Sequence, residues 1–386
     1  MHRVKLMLFA YLAAIGAILV ATAVGVAIAP VVERDPQTYY EAYWNTIQTF
    51  DPCKAYDTVS SKMVEQCVEA LYEYDGFDPN FGIVPALAAA MPEVSDDGLT
   101  YTIRLRPNVR YPARWSDGTW IEPWRDVPRH VRAEDFVFAF KRLADFHNAS
   151  NLYASVMQDK VAGAAAFRAE TESRDPQSWC YDDLDLAGVR ALDDLTLEIR
   201  LERPFPQFIY MLIHACTSPM PVEYYRHYAV DVPTAKARAA GTIGPDDVLH
   251  NRRVMRWRVM GTGPYRLDDY QRERHVKFSR NPMYRGHPEV DGHPNGMGGA
   301  HPSLAPEAIM PFSVERQVYL FSRESLPRWY NFTLGAYDKI WFIPVDKFGE
   351  AVDRGNVSER YARRGMRSIT TPRPTLETCD LDMRDP

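Results

Sequence analysis

The clearest candidate for chemistry in this sequence is a histidine-rich stretch at residues 287–303, HPEVDGHPNGMGGAHPS. Imidazole and carboxylate groups bind metal ions, and the candidate ligands here are His287, Glu289, Asp291, His293 and His301. Their spacings match no helical ligand pair such as HExxH, and the glycines between them leave the ligands unorganised. The stretch therefore predicts a surface loop without a metal site.

A second candidate is the glycine pair of MGTGPYRLDDYQ, which could cradle a phosphate. A dinucleotide-binding loop needs a third glycine and a helix that opens directly after it. Arg266 stands at the third position, Pro264 removes a backbone donor, and the following residues have the pattern of a strand. No GxSxG, GxxxxGK[ST] or kinase pattern occurs in the chain. We expect no catalytic residues, no cofactor and no enzyme.

Charge and cysteine content narrow the class of protein further. The chain has 386 residues and a net charge of −6, and omitting residues 1–29 leaves 43 basic against 51 acidic residues, a net charge of −8. A nucleic-acid partner would call for a basic surface, so none is expected. Five cysteines are an odd number for disulfide pairing. Cys67 is predicted to be either a buried free thiol or bonded to Cys53.

The amino terminus contains 24 residues without a charge, from Leu6 to Ala29, preceded by Arg3 and Lys5. This length suffices for a helix that crosses a bilayer core of about 30 Å. Ala27-Ile28-Ala29 is similar to a signal-cleavage site, although the apolar run is long for a signal peptide. Residues 1–29 are thus predicted to be a signal peptide or an uncleaved membrane anchor, and both place the rest of the chain outside the cytoplasm.

Periodicity predicts a mixture of strands and helices, which is typical of α/β lobes built from non-contiguous segments. A first strand and its exit are expected at residues 39–50, and period-two alternation predicts strands at 99–106 and 193–205. Residues 133–145 form an amphipathic helix pattern. A further helix is expected to start at Asp57 or Thr58. Its apolar positions are Met63, Val64, Cys67, Val68, Leu71 and Tyr74.

The order of several motifs resembles a known family. FDPCKAYDTVSSKMVEQCVEAL, VPALAAAMPEVSDDGLTYTIRLRPNVRY, AEDFVFAFKRLAD, NLYAS, GTGPYRL, FSRNPMYRG and LGAYD follow one another from about Thr49 onward. In this order they resemble the extracellular solute-binding proteins of family 5, the oligopeptide and dipeptide receptors of ABC importers. The resemblance implies an α/β fold of the periplasmic binding protein-like type II, with two lobes and an extra subdomain.

The resemblance also divides the chain. It implies that residues 30–74 begin the first lobe, that 75–186 form the extra subdomain, and that 187–270 complete the first lobe with the hinge. Residues 271–386 would then form an incomplete second lobe. Such a receptor closes on an oligopeptide or similar solute without chemistry and delivers it to the permease subunits of the inner membrane. The chain would be periplasmic, or tethered to the inner membrane by residues 6–29.

Site residues follow from the same resemblance. Ala55, Tyr56, Asp57 and Tyr153 match cleft-facing positions, although both tyrosines could instead be packing residues and Asp57 only a helix cap. The GTGPY segment would contain the hinge, where glycine permits close backbone approach and proline sets a bend. The implied hinge residues are Gly261, Gly263, Pro264 and Tyr265.

Two departures from the family pattern lead to expectations of their own. Arg132 follows the insertion TWIEPWRDVPRHV and replaces the family's Thr or Ser, so the cap of the next helix should be moved or lost. The sequence stops at CDLDMRDP, where family members continue into a long carboxyl-terminal portion. We expect a truncated or split receptor with an uncovered apolar surface, whose partner is the missing portion. Alternatives are a tethered sensor or interaction domain, a remnant that binds nothing, and an envelope hydrolase, which lacks a nucleophile motif.

Overall fold

Two four-stranded sheets carry the fold in the computed structural model. The structure describes residues 34–75, 82–113, 124, 129–175, 179, 181–228, 255–284 and 314–367. The predictions for residues 1–29, for the histidine-rich stretch and for CDLDMRDP lie outside these ranges. Within them, no helix has both the length and the apolar character needed to cross a membrane.

The elements are numbered in chain order. The strands are β1 (Thr38–Tyr43), β2 (Tyr72–Tyr74), β3 (Ile83–Pro85), β4 (Glu93–Val94), β5 (Thr100–Arg104), β6 (Val189–Asp193), β7 (Thr196–Arg200), β8 (Tyr265–Gln271), β9 (His275–Arg280), β10 (Arg316–Phe321), β11 (Val352–Asp353) and β12 (Asn356–Val357). The helices are α1 (Thr58–Val64), α2 (Ala133–Ala144), α3 (Tyr153–Val156), α4 (Ala164–Ser173), α5 (Val222–Tyr228), α6 (Ser325–Thr333), α7 (Val345–Ala351) and α8 (Glu359–Ala362).

The first sheet has the strand order β1-β10-β9-β8. β1 and β10 are parallel, with Tyr43 opposite Phe321, and β9 runs antiparallel to both of its neighbours. Consequently β1, β10 and β8 point in the same direction. Helix α1 covers this sheet, and its buried face shares a core with apolar side chains of the strands. That core includes Val59, Met63, Val64, Tyr265, Val276, Phe278 and Tyr319.

Helix α1 is shorter than its apolar periodicity predicts. It ends at Val64, whereas the pattern continued to Tyr74, which lies in strand β2. Beyond the helix, the carbonyls of Gln66 and Cys67 accept hydrogen bonds from the GTGPY segment instead of from the helix's own backbone. The predicted first strand and its exit are confirmed, since β1 ends at Tyr43 and residues 44–50 lie outside the sheet.

The second sheet, of order β4-β5-β7-β6, confirms the alternating patterns. β5 pairs antiparallel with β7, and Ile103 faces Leu197 across the pair. Helix α2 packs in the same core and confirms the amphipathic pattern at 133–145. The side-chain cap is lost, as expected, since Arg132 makes no side-chain hydrogen bond to the first turn. The Asp135 carboxylate instead accepts a hydrogen bond from the backbone N–H of Arg132 at 2.9 Å, which ties the residue before the helix to its first turn.

Strand pairing crosses two limits of the predicted division of the chain, which stays a prediction. The boundary after residue 186 separates β6 and β7 from β4 and β5, although these strands form one sheet. The boundary after residue 270 falls in the hairpin of β8 and β9, and β9 and β10 complete a sheet with β1. Strand pairing thus crosses both limits, because strands distant in sequence provide each other's backbone hydrogen bonds.

Candidate functional site

Three loops meet at the end of the first sheet to which β1, β8 and β10 point. They are residues 44–57, 271–274 and 322–324, and we call this surface the carboxyl edge. The N–H of Ser322 donates to the Tyr43 carbonyl at 2.8 Å, and that of Phe321 donates to Arg274 at 2.9 Å, so the loops are joined. In open α/β sheets ligands bind beyond the carboxyl ends of the parallel strands. The carboxyl edge is the candidate binding site.

A buried ion pair fixes the first of these loops. The Arg142 guanidinium bonds both carboxylate oxygens of Asp51, at 3.1 and 2.7 Å, and both side chains are almost fully buried. Burial alone would lower the pKa of Arg142, but the adjacent Asp51 carboxylate raises this pKa well above its usual value. This pair was not predicted from the sequence. The sequence features that could have indicated it are an aspartate-proline turn after a strand and an arginine within an apolar helix.

Of the three predicted site residues in this loop, one presents its side chain to solvent. Tyr56 is 59% exposed. Ala55 is buried, its N–H donates to Asp51 at 3.1 Å and its carbonyl accepts from the Ser61 hydroxyl at 2.9 Å. Asp57 caps α1 by accepting from the N–H of Ser60 at 2.9 Å. The cap explains Asp57 structurally, and ligand contact by Tyr56 stays a prediction.

The fourth predicted residue, Tyr153, lies in the packed interior. Its side chain is 6% exposed, and the Arg168 guanidinium sits 4.4 Å from the ring centre. The segment that contains Tyr153 nevertheless lies beside the loop of residues 44–57, because the hydroxyl of Ser150 donates to the carbonyl of Cys53. Burial favours the packing interpretation of Tyr153 over direct ligand contact.

The predicted hinge residues lie at the opposite end of the first sheet. The Gly263 N–H donates to the Cys67 carbonyl at 2.9 Å, and a side chain at Gly261 would place its Cβ 2.3 Å from the same oxygen. A strand, β8, begins at Tyr265, so no helix is available to hold a phosphate. Close backbone approach accounts for both glycines, and the hinge function stays a prediction.

The carboxyl edge also carries side chains that the sequence analysis did not select. Trp257 is 38% exposed and stacks on Tyr270 at 5.3 Å, with the Arg256 guanidinium 4.8 Å from the indole centre. Arg272 and Arg274 are exposed on the β8–β9 turn. No local sequence signal groups these residues, because only the sheet brings them to one edge.

The cysteines of the described ranges are structural. Cys53, Cys67 and Cys216 are buried free thiols, which decides the alternative for Cys67 in favour of the unbonded form. Burial raises the pKa of Cys53 to about 12. In the part of the chain that the structure describes, no three His, Cys, Asp or Glu side chains are grouped to hold a metal ion.

Comparison with known proteins agrees with this architecture. A family model described as bacterial extracellular solute-binding proteins, family 5 Middle, matches residues 82–294. The oligopeptide-binding protein OppA of Escherichia coli is 33% identical over 190 residues, which cover 48% of this chain and 29% of the relative. The glutathione-binding protein GsiB of Shigella flexneri is 27% identical over 252 residues, covering 65% and 36% of the two chains.

Solved structures show the same fold. The Bacillus anthracis oligopeptide ABC transporter substrate-binding domain superposes with a TM-score of 0.56 at 21% identity, over 84% of this chain and 48% of its own. Haemophilus influenzae OppA, in complex with RPPGFSPFR, superposes with a TM-score of 0.52 at 21% identity. The superposed part covers 82% of this chain and 48% of the OppA chain. The chain thus spans about a third of these curated relatives and about half of the solved chains.

Proposed function

Because the chain belongs to the bacterial extracellular solute-binding proteins of family 5, we propose that it binds short peptides for an ABC importer. Binding occurs without covalent chemistry. The names of the relatives support the proposal: they include an oligopeptide-binding and a glutathione-binding protein, and one solved relative holds a nonapeptide. Peptides suit such a site because their backbone offers hydrogen-bonding groups at every residue, whatever the side chains.

The observation that carries the proposal is the loop of residues 44–57 at the carboxyl edge. It presents Tyr56 to solvent, while the buried Asp51–Arg142 pair fixes its backbone from behind. A rigid loop with an exposed aromatic ring loses little conformational entropy when a ligand binds. The Tyr56 ring provides a flat apolar surface, and its hydroxyl provides a hydrogen-bonding group.

The partners and location of the protein are part of the same proposal. The receptor acts in the periplasm, released or tethered by residues 6–29, and delivers its ligand to a permease in the inner membrane. The solved relatives contain about as much chain again as the superposed part. We propose that a corresponding portion, continuous with this chain or separate, completes the cleft and closes on the GTGPY hinge.

Thermal unfolding of the chain with defined peptides tests the function. A ligand that binds only the native state at about one hundred times its Kd stabilises that state by about 2.7 kcal/mol. We expect a mixture of di- to pentapeptides to raise the Tm, and the Tyr56→Ala variant to lose most of this shift. Tyr330→Ala is the matched control, because Tyr330 is 51% exposed on helix α6. If no peptide raises the Tm of the wild type, the alternatives of a sensor or a remnant gain support.

A further inference from the structure

The carboxyl edge has a charge opposite to that of the whole chain. Four arginines are exposed around its loops, while the sequence as a whole has a net charge of −6. They are Arg256, Arg272, Arg274 and Arg323. Two carboxylates, Glu273 and Glu324, accompany them on the turn 271–274 and the loop 322–324. The net charge of these six side chains is therefore positive.

These guanidinium groups are only weakly neutralised by neighbouring carboxylates. Arg323 lies 3.9 Å from Glu273, in an exposed pair at the limit of contact, and Glu273 also accepts from the hydroxyl of Thr46 at 3.0 Å. Among the described residues, no carboxylate lies within 4.0 Å of the guanidinium of Arg272 or Arg274. These two arginines retain their hydrogen-bond donors for a ligand.

An aromatic platform adjoins the cations. The Arg256 Nε donates to the Gln48 carbonyl at 2.7 Å, which fixes the guanidinium above Trp257. Trp257 in turn stacks on Tyr270, the residue that precedes the β8–β9 turn by one position. The edge therefore combines an apolar surface, able to cover the stem of a bound side chain, with donors placed for its terminal group.

We propose that this arginine rim selects peptides with acidic side chains, an inference that rests on the proposed peptide-binding function. A guanidinium matches a carboxylate with two parallel hydrogen bonds and stays charged throughout the physiological range. A positive surface on an otherwise acidic protein also attracts anionic ligands from solution and repels cationic ones. Peptides rich in glutamate or aspartate are thus the preferred class of ligand.

Calorimetric titration with three matched tripeptides, Ala-Ala-Ala, Ala-Glu-Ala and Ala-Lys-Ala, tests this selection. At about 20 mM salt we expect Ala-Glu-Ala to bind up to about fivefold more tightly than Ala-Lys-Ala, since one exposed pair contributes up to about that factor. The ratio should shrink at about 300 mM salt, where screening is stronger. The double variant Arg272→Gln/Arg274→Gln should abolish the preference.

The control is Arg104→Gln, which removes an exposed arginine of the second sheet that pairs with Glu93 at 3.6 Å. This variant should keep the wild-type ratio. If the double variant is unstable, Arg323→Gln provides a second reduction of the rim's charge. Equal affinities for the three peptides would overturn the inference and leave the receptor function intact. If none of them binds and the peptide mixture does not raise the Tm, peptide binding by this chain alone is refuted.

Discussion

At the scale of single residues, the Asp51–Arg142 pair should dominate stability. Removing one partner leaves the other charge buried and uncompensated, so Arg142→Met should lower the free energy of unfolding by about 3–5 kcal/mol. Urea denaturation measures this change. Arg104→Met, whose pair with Glu93 is about 70% exposed, should cost less than about 1 kcal/mol. Equal losses in the two variants would show that the buried pair does not anchor the loop.

The buried thiols provide a second prediction for single residues. Only the thiolate attacks a disulfide reagent, and burial both blocks access and raises the pKa of Cys53, Cys67 and Cys216. In a Cys180→Ser/Cys379→Ser background, the folded protein should react with Ellman's reagent only as fast as it unfolds. Addition of guanidinium chloride should release three equivalents at once. Rapid labelling of the native protein would contradict the assigned burial.

At the scale of elements, the joint between α1 and β8 depends on two residues without side chains. A Cβ at Gly261 would lie 2.3 Å from the Cys67 carbonyl oxygen, a backbone atom that cannot move aside without breaking its bond to Gly263. Gly261→Ala should therefore destabilise the protein by more than about 3 kcal/mol in thermal or urea unfolding.

Gly349→Ala is the matched control for that substitution. Gly349 lies within helix α7, and a Cβ there would meet no atom within 4 Å. Alanine favours a helix over glycine by about 1 kcal/mol, so this variant should be neutral or slightly more stable. If Gly261→Ala behaved like Gly349→Ala, the close approach of the GTGPY segment to residues 66–68 would be refuted.

The same joint shows what the sequence could and could not predict. The alternation of apolar and polar residues predicted β5 and β7, and a hydrophobic period of 3.6 residues predicted α2. Both succeed because burial of one face of an element produces a hydrophobic pattern within its own segment of the sequence. The end of α1 was not predictable in this way. Its last apolar residues pack in the core from a non-helical backbone, whose hydrogen bonds come from residues 263–265.

The residues of the candidate site were also predictable only where a local motif contains them. Tyr56 was predicted from a motif contained in one loop, and the structure places its ring in solvent beside the carboxyl edge. The cations of the rim come from three separate segments, which only strand pairing brings together. Arg272 and Arg323 are 51 positions apart in the sequence, so no local pattern relates them.

At the scale of the whole molecule, the loop of residues 44–57 and the predicted GTGPY hinge lie at opposite ends of one sheet. Helix α1 connects them. Asp57 caps the helix at the carboxyl edge, and just beyond the helix's other end Gln66 and Cys67 bond the GTGPY segment. In the proposed receptor, α1 would connect the loop that contacts the ligand with the proposed GTGPY hinge, without a change in the sheet itself.

The carboxyl-terminal part of the described structure exposes several large apolar side chains; that a further portion of the receptor covers them stays a prediction. Leu326 and Tyr330 on helix α6, and Leu334 directly after its last residue, recur every four residues and are 39%, 51% and 74% exposed. Val345 at the start of α7 is 94% exposed. Residues at this spacing form one face of a helix. Exposed apolar side chains of this kind favour association.

We therefore predict that the isolated chain self-associates with increasing concentration and enhances the fluorescence of bis-ANS. Leu334→Lys/Val345→Lys should reduce both effects, because two exposed apolar side chains become charged. Leu192→Lys is the matched control: Leu192 is 49% exposed on strand β6 of the second sheet, away from this surface, and its replacement should leave association unchanged. Sedimentation velocity at several concentrations measures the association. A monomer at all concentrations without dye binding would show that this surface is covered within the chain itself.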